Sequence, residues 1–329
     1  MTTYAQLSAQ DLNNLYSSTL QDFSAEVEDQ TFKNRPVLKR LTANKRMSPG
    51  GLRIEKRLTA GRNTNAKHLR SDSDSVEVSD QAVLTTAIFD EVFLAVPVLS
   101  SRLEQSINSG KEKIVDLVKF RMAQASQTAG DLLNTGLFGD GTDKTMVGLL
   151  AITPVTAGTN TYANIAEATS PFWIPYYATA AGSFAANGYL GTADDKLTRA
   201  FLICSDNGQM VPDLIVSDRL TWEFYHRALG QFVRYTKAAD FGKVATDSSL
   251  TLPFLGAEWE WDVQADAGTV YILHTDQFEF TVDPNFNYKW MGPFPLGRQF
   301  LLSFDVLTLR YQMVVNRRNN LGRIGGWTA

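Results

Sequence analysis

The sequence has few of the side chains on which nucleophilic and metal chemistry depend. It contains one cysteine, Cys204, which excludes an internal disulfide and a multi-cysteine metal site. The three histidines, His68, His226 and His274, lie in different segments, and none belongs to a metal-binding spacing. No combination of nucleophile, base and oxyanion site can be assembled from the other residues. We therefore predict a protein that is not an enzyme, has no catalytic, cofactor-binding or metal-binding residues, and keeps Cys204 buried and inert.

Long apolar runs are also missing. No segment approaches the roughly 20 apolar residues that a membrane-spanning helix needs. The first residues, MTTYAQLSAQDLNN, have neither the basic stretch nor the apolar stretch of a secretory signal. We therefore expect a soluble protein that stays where it is made and does not contact a membrane. With 329 residues, 44% of them hydrophobic, the chain can bury a sizeable core, and we expect two lobes rather than one.

Charge is segregated along the chain. Residues 1–30 contain five acidic residues and no basic ones, and residues 71–99 contain six acidic residues and no basic ones. Residues 31–70, called here the basic block, contain twelve basic residues against one acidic residue, a net charge of +11. The basic residues are Lys33, Arg35, Lys39, Arg40, Lys45, Arg46, Arg53, Lys56, Arg57, Arg62, Lys67 and Arg70.

Such a block repels itself within one subunit, so it favours a negative partner. Nucleic acid, an anionic membrane and the acidic surface of a neighbouring copy are the candidates, and a merely solvated arm is the plain alternative. The block contains only one aromatic residue, Phe32, which makes stacking on nucleic-acid bases an unfavourable interpretation.

The chain is predicted to begin with an arm. Residues 1–45 show weak periodicity apart from a short helical pattern around residues 9–20, and few large apolar groups lie between Phe32 and Leu41. A segment with so little to bury is ordered only by a partner. We therefore expect residues 1–45 to be extended.

A hairpin is predicted to follow over residues 46–81. Apolar and charged residues alternate through residues 52–58, which is the period of a β-strand. Glycine and asparagine at positions 60–65 provide turn chemistry. Val76 and Val78 alternate with polar residues and are the expected return strand. The hairpin has no apolar face large enough to be stable alone, so we expect it to lie on another surface.

One unusually long helix is predicted in the following domain, residues 82–157. Ser101 and Glu104 form a capping-box pattern, and apolar residues then recur three or four positions apart. A helix over residues 102–135, ending at Gly136, would be about 50 Å long at 1.5 Å per residue. Such a rod suits a flat structural plate better than a compact enzyme.

The remainder indicates a second lobe of mixed helices and strands, so that the fold class is α+β. Residues 158–279 contain a helix at residues 197–204 and a buried strand at residues 212–216. Residues 280–329 return to strand character, strongest at residues 304–315. We expect residues 158–279 to form a separate domain and residues 280–329 to rejoin the first one.

This order of parts resembles the Hong Kong 97-type capsid fold of tailed bacteriophages. In that family the parts are called the N-arm, the E-loop hairpin, the spine helix, the axial domain and the peripheral domain. Short motifs similar to those of phage major capsid proteins occur in matching order. They are Gly139-Asp140-Gly141, Ser170-Pro171-Phe172-Trp173, Pro212-Asp213-Leu214-Ile215-Val216 before a helix with Tyr225, Tyr271-x-Leu273 and Asn316-Arg317-Arg318.

The resemblance implies a structural protein that assembles into hexamers and pentamers and encloses double-stranded DNA in the icosahedral head of a virion. The implied partners are further copies, a portal protein, a separate scaffolding protein, a possible decoration protein, and DNA contacted without sequence specificity. Assembly is expected in the host cytoplasm. The predicted inter-subunit contacts are Arg53, Lys56, Arg57, Arg62, Lys67, Arg70, Glu26, Glu28, Asp72, Asp74 and Glu77. A basic C-terminal segment is formed by Arg317, Arg318 and Arg323.

Some members of that family join a hairpin lysine to an asparagine of a neighbour with the help of a glutamate. The candidate lysines and asparagines in this sequence are Lys56, Lys67, Asn316, Asn319 and Asn320. The sequence does not locate the glutamate.

Other functions remain open at this stage. An encapsulin-like compartment would have the same fold and would copurify with a cargo enzyme. A nucleic-acid-binding protein that uses the basic block would bind DNA as a monomer with a steep salt dependence. An enzymatic function is the least favoured alternative, because the sequence contains no identifiable catalytic group.

Overall fold

The computed structural model describes most of the chain after residue 34. The described residues are 35–48, 50–51, 53–61, 63–71, 74–80, 83–101, 117–142, 144–156, 158–179, 191–206, 210–230, 252–296 and 299–327. Their α-helices are α1 (Pro36–Leu41), α2 (Leu117–Leu137), α3 (Leu149–Ile152), α4 (Gly191–Cys204) and α5 (Arg219–Gly230). Their strands are β1 (Lys45–Met47), β2 (Arg53–Thr59), β3 (Leu84–Asp90), β4 (Val92–Ser101), β5 (Thr161–Tyr162), β6 (Ile165–Ala166), β7 (Tyr176–Thr179), β8 (Leu214–Ser217), β9 (Leu252–Phe254), β10 (Ala257–Trp261), β11 (Val270–Leu273), β12 (Phe278–Val282), β13 (Lys289–Leu296), β14 (Gln299–Val315) and β15 (Gly322–Gly325).

The chain divides into two compact units. Within the described residues, the first unit comprises residues 93–101, 117–133, 283–296 and 299–310, and the second contains the rest. Helices and sheets occur together, which confirms the predicted α+β class.

A six-stranded sheet forms the centre of the second unit, in the order β7-β15-β11-β8-β10-β9. The β7–β15 and β8–β10 pairs are parallel, and the other pairs are antiparallel. All four residues of β8 are buried, as expected for an apolar strand in the interior of a sheet. Helix α4 contacts β7, β11 and β15, and α5 contacts β10. The core contains Leu197, Ala200, Phe201, Cys204, Ile215, Tyr225, Phe254, Ala257, Trp259, Val270, Ile272, Ile324 and Trp327.

The end of the predicted arm belongs to the second unit. Helix α1 begins with Pro36, which suits a first helical turn, and buries Val37 and Leu41 completely. It contacts β10 and β12, and β1 pairs in parallel with β12. Residues 36–41 are therefore helical and packed rather than extended, because Val37, Leu38 and Leu41 are buried against their own chain. The predicted short helix at residues 9–20 lies outside the described residues.

In the first unit, β4 and β13 both pair with β14. Helix α2 buries Ala125 and Ala129, which lie one turn apart on one stripe of the helix. Its 21 residues correspond to about 31 Å, and it ends at Leu137, one residue beyond the predicted stop. Residues 102–116 of the predicted long helix lie outside the described residues.

The chain end differs from the prediction. Strand β15 pairs with β7 and β11 in the six-stranded sheet, so residues 322–325 join the second unit. They were expected to return to the first domain, but the local sequence does not specify which distant strand edges a short strand will complete.

Candidate functional site

The basic hairpin is a two-stranded ribbon with two different faces. Strand β2 pairs antiparallel with β3 over seven residues, from Arg53 opposite Asp90 to Thr59 opposite Leu84. On one face Ile54 is half-buried and Phe89 is buried, whereas the other face is largely exposed. The exposed face contains Arg53, Glu55, Arg57, Thr86 and Leu84. The alternation that predicted β2 therefore separates an inner apolar face from an outer charged one.

The return strand was predicted at the wrong position. Val76 and Val78 lie in a loop without strand structure, and the partner of β2 is β3, which begins at Leu84. The segment 84–90 is richer in β-branched and aromatic residues, and its Ala87 and Phe89 are buried. A strand that buries such groups is favoured over one that buries none.

The described residues of the loop between β2 and β3 are almost all exposed. The Ala60 amide donates to the Val83 carbonyl at 2.7 Å, which closes the base of the loop. Beyond that bond, Lys67, Arg70 and Glu77 are exposed. Asp74 accepts hydrogen bonds from the amides of Arg70 and Ser71, and these bonds lower the pKa of its carboxyl group. The loop therefore presents both signs of charge to its surroundings.

Glu279 on β12 anchors the hairpin to the rest of the second unit. Its Oε1 accepts hydrogen bonds from Lys56 Nζ at 2.5 Å and from Asn316 Nδ2 at 3.0 Å. Its Oε2 accepts one from Arg46 Nη1 at 3.3 Å. Burial by itself would raise the pKa of Glu279, but the bonds from Lys56 and Asn316 outweigh it and lower the pKa. The site is an ion pair inside one chain, which engages Lys56, one of the two candidate lysines for a crosslink.

We predict that this anchor weakens in acid. The folded pKa of Glu279 is lower than its unfolded value, so its stabilisation is complete above about pH 4.5 and is lost as pH falls through the folded pKa. A double-mutant cycle with Lys56→Met and Glu279→Gln should give a coupling free energy of about 1.5–3 kcal/mol at pH 7. Urea unfolding of the unassembled subunit measures it. Coupling that is unchanged at pH 3.5 would contradict the assignment.

Arg46→Met is the comparison for that cycle. Arg46 contacts the same carboxylate but its side chain is 61% exposed, so its loss should cost at most about 1 kcal/mol.

A second ionic contact fixes α1. Arg40 pairs with Glu258 and Glu260, two residues on the same face of β10. Burial, partly offset by Arg40, raises the pKa of Glu260. Together with the Lys56, Arg46 and Arg53 pairs, this contact means that part of the basic block is neutralised within its own chain. The prediction that the basic block as a whole needs a partner outside its own chain is therefore wrong for Arg40, Arg46, Arg53 and Lys56.

The C-terminal arginines do not form a common basic surface. Arg318 is fully buried and pairs with Glu167 at 2.6 Å. Arg323 is also buried, and its guanidinium lies over the Tyr271 ring at 5.6 Å from the centroid. Only Arg317 is exposed, 3.7 Å from Asp206. The prediction of a basic segment is corrected because two of its three charges pack inside the second unit.

Arg318 connects several separate segments. Its guanidinium donates to the carbonyls of Ile152, Trp173 and Ala151 at 2.6, 3.3 and 3.2 Å, and lies 4.7 Å from the centroid of the Tyr162 ring. Burial lowers the pKa of Arg318, and the Glu167 carboxylate opposes that shift.

Four predicted contact residues, Glu26, Glu28, Arg62 and Asp72, lie outside the described residues. The sequence interpretation did not identify Glu279, Glu260 and Glu167 as the partners of buried or half-buried cations. Glu279 alternates with the buried Phe278 and Phe280, which indicates a polar position on a strand. Nothing local indicates which cation reaches it.

The described residues contain no group of three or more His, Cys, Asp or Glu side chains that could hold a metal ion. Cys204 is buried, as predicted, and burial raises the pKa of its thiol to about 12. Among the described helices, none is both long and apolar enough to cross a membrane.

Comparison with solved structures shows similarity to capsid proteins. The structure is similar to the cyanophage A-1(L) capsid asymmetric unit, with a TM-score of 0.69 and 16% identity over 94% of this chain and 98% of that one. It is also similar to the capsid of a native GTA particle, with a TM-score of 0.63 and 11% identity over 99% of this chain and 100% of that one. The chain has the fold of phage capsid proteins. The capsid of Myoviridae phage XM1 matches too, with a TM-score of 0.59 and 11% identity over 98% of this chain and 99% of that one.

No family model and no curated protein matches the sequence. The capsid fold is therefore recognised from the structure, at 11–16% sequence identity. Coverage of nearly the whole chain means that both units belong to this capsid fold.

Proposed function

We propose that this chain is the major capsid protein of a tailed double-stranded-DNA bacteriophage, a shell-building protein without a catalytic site. The capsid fold over nearly the full length of the chain is the observation that supports this proposal most directly. Copies would assemble into hexamers and pentamers that close into an icosahedral head in the host cytoplasm. A scaffolding protein, a portal protein and a possible decoration protein would take part, and the packaged DNA would be contacted without sequence readout.

The hairpin supplies a physical mechanism for subunit contact. Its outer face and its loop expose Arg57, Lys67 and Arg70, for which the described part of the chain provides no ion-pair partner. The acidic segments, residues 1–30 and 71–99, are the counter-surfaces that a second copy would offer. A single exposed ion pair contributes only about 0–1 kcal/mol. Repeated in every subunit of a shell, such contacts add up to a firm closed structure.

Negative-stain electron microscopy of the purified protein, alone and coexpressed with its genomic neighbours, tests this proposal. We expect closed shells, or rings of five and six subunits. Shells that contain DNA and a portal would support the phage function, and shells that contain a cargo enzyme would indicate a compartment. A monomer that persists under every condition and binds DNA with a steep salt dependence would instead indicate a nucleic-acid-binding protein.

A further inference from the structure

The loop between β2 and β3 contains a segment with the pattern of a β-strand but no strand partner. In residues 75–79, Val76 and Val78 alternate with Ser75, Glu77 and Ser79. Val78 is 95% exposed, and Val76 is exposed as well. An exposed, alternating segment with two β-branched residues is suited to join a sheet. Among the described residues it pairs with no strand, and Asn65 Nδ2 of the same loop donates to the Ser79 carbonyl at 3.3 Å and to the Ser79 hydroxyl at 2.7 Å.

Strand β2 has an edge that pairs with no described strand. It pairs with β3 on one side, and the described residues provide no backbone hydrogen bonds to its other side. The outer edge of β3 is less open, because the Ile88 amide already donates to the Ala163 carbonyl at 2.9 Å. An unpaired strand edge is a ready template for another strand. A two-stranded ribbon also gains most from a third strand.

Charge and side-chain alternation match between the two segments. Residues 74–80 include Asp74, Glu77 and Asp80. On β2, Arg53 and Lys56 are already paired with Asp90 and Glu279, so Arg57 is the cation that remains for an acidic partner. With Glu77 opposite Arg57, the two valines fall on the apolar face of the ribbon beside Leu58. This holds for parallel and antiparallel pairing, because side chains alternate with a period of two.

We propose that residues 75–79 of one subunit add as a strand to the open edge of β2 in a second copy of this chain. This deepens the proposed function, on which it rests: it gives the hairpin contact a defined partner segment and backbone hydrogen bonds. The loop is exposed in the single chain because its partner strand belongs to another copy. The basic strand and the acidic segment are then complementary halves of one repeated contact.

Disulfide trapping tests the pairing directly. The only native thiol, Cys204, is buried, so introduced cysteines are the accessible ones. Shells assembled from mixed Arg57→Cys and Glu77→Cys subunits should form a covalent dimer on mild oxidation. Mixed Arg57→Cys and Val78→Cys subunits are the matched control, because residue 78 points to the opposite face. Equal crosslinking in both mixtures would overturn the register, and none in either would overturn the strand pairing.

A proline pair tests the backbone requirement. Glu77→Pro removes one amide from the proposed ladder, and Ala66→Pro places the same residue at an exposed position of the same loop outside the proposed strand. We expect Glu77→Pro to raise the subunit concentration needed for assembly by about tenfold or more, with unchanged subunit unfolding. Ala66→Pro should leave both quantities unchanged. Normal assembly of Glu77→Pro would refute strand addition but leave the capsid function intact, whereas failure of the wild-type protein to assemble would refute the capsid function itself.

Discussion

Replacing Arg318 by methionine should lower the free energy of unfolding of the subunit by about 3–5 kcal/mol. The substitution leaves the Glu167 carboxylate, which is 1% exposed, without its counter-charge. It also removes the donors from the carbonyls of Ala151, Ile152 and Trp173. A domain is typically stable by only about 5–15 kcal/mol, so we expect most of the variant to misfold or aggregate on expression. Denaturant unfolding of the unassembled subunit, followed by tryptophan fluorescence, measures the effect.

The neighbouring arginine is the natural control. Arg317 is exposed, and its contact with Asp206 is 3.7 Å long. Arg317→Met should therefore change stability by no more than about 0.5 kcal/mol. The double variant Arg318→Met with Glu167→Gln should be more stable than the sum of the single effects predicts, since it no longer buries an unpaired charge. Similar losses for Arg317→Met and Arg318→Met would show that the buried pair is not the cause.

Reversing three charges of the hairpin should abolish shell formation at concentrations where the wild-type protein assembles. Arg57, Lys67 and Arg70 are exposed, and the described part of the chain gives them no ion-pair partner. Their replacement by glutamate should therefore change subunit stability by less than about 0.5 kcal/mol for each position. At about 1 kcal/mol for each lost inter-subunit pair, the concentration needed for assembly should rise by roughly a hundredfold. Light scattering recorded against subunit concentration measures the concentration needed for assembly, and electron microscopy shows whether the assembled particles are shells.

A charge-matched variant distinguishes an effect of the hairpin on assembly from an effect of net charge. Arg199, Arg227 and Lys289 are exposed residues of α4, α5 and β13, and their reversal changes the net charge by the same amount. We expect this variant to assemble more readily than the hairpin variant. Equal loss in both would indicate that general repulsion between subunits, rather than the hairpin, is responsible. Loss of subunit folding in the hairpin variant would contradict the exposed positions of its side chains.

Prediction from sequence succeeded where a pattern is local. The alternation in residues 52–58 predicted β2, which spans Arg53–Thr59, and the apolar run at residues 212–216 predicted the buried strand β8. The C-terminal end of α2 was predicted at Gly136, and the helix continues through that residue to end at Leu137. The prediction of the return strand was wrong because residues 75–79 have the alternation of a strand but no buried side chains. Burial decides which of the candidate strands pairs with β2.

The candidate site was predictable only in part for the same reason. Positive charge in residues 31–70 is visible in the sequence, but its distribution between internal pairs and exposed positions is not. Lys56 and Arg57 are adjacent, yet one is paired with Glu279 and the other is exposed. Strand geometry points them to opposite faces, and the partner on the inner face comes from a strand far along the chain.

By itself, the sequence determined the α+β class, the segregated charge, the scarcity of catalytic groups and the burial of Cys204, because each depends on composition or short-range periodicity. Only the tertiary structure decided that β3 completes the hairpin, that β15 joins the six-stranded sheet, and that Arg318 is an internal charge. Each of these depends on contacts between segments distant in sequence, where burial and charge pairing select one partner among several that are locally equivalent.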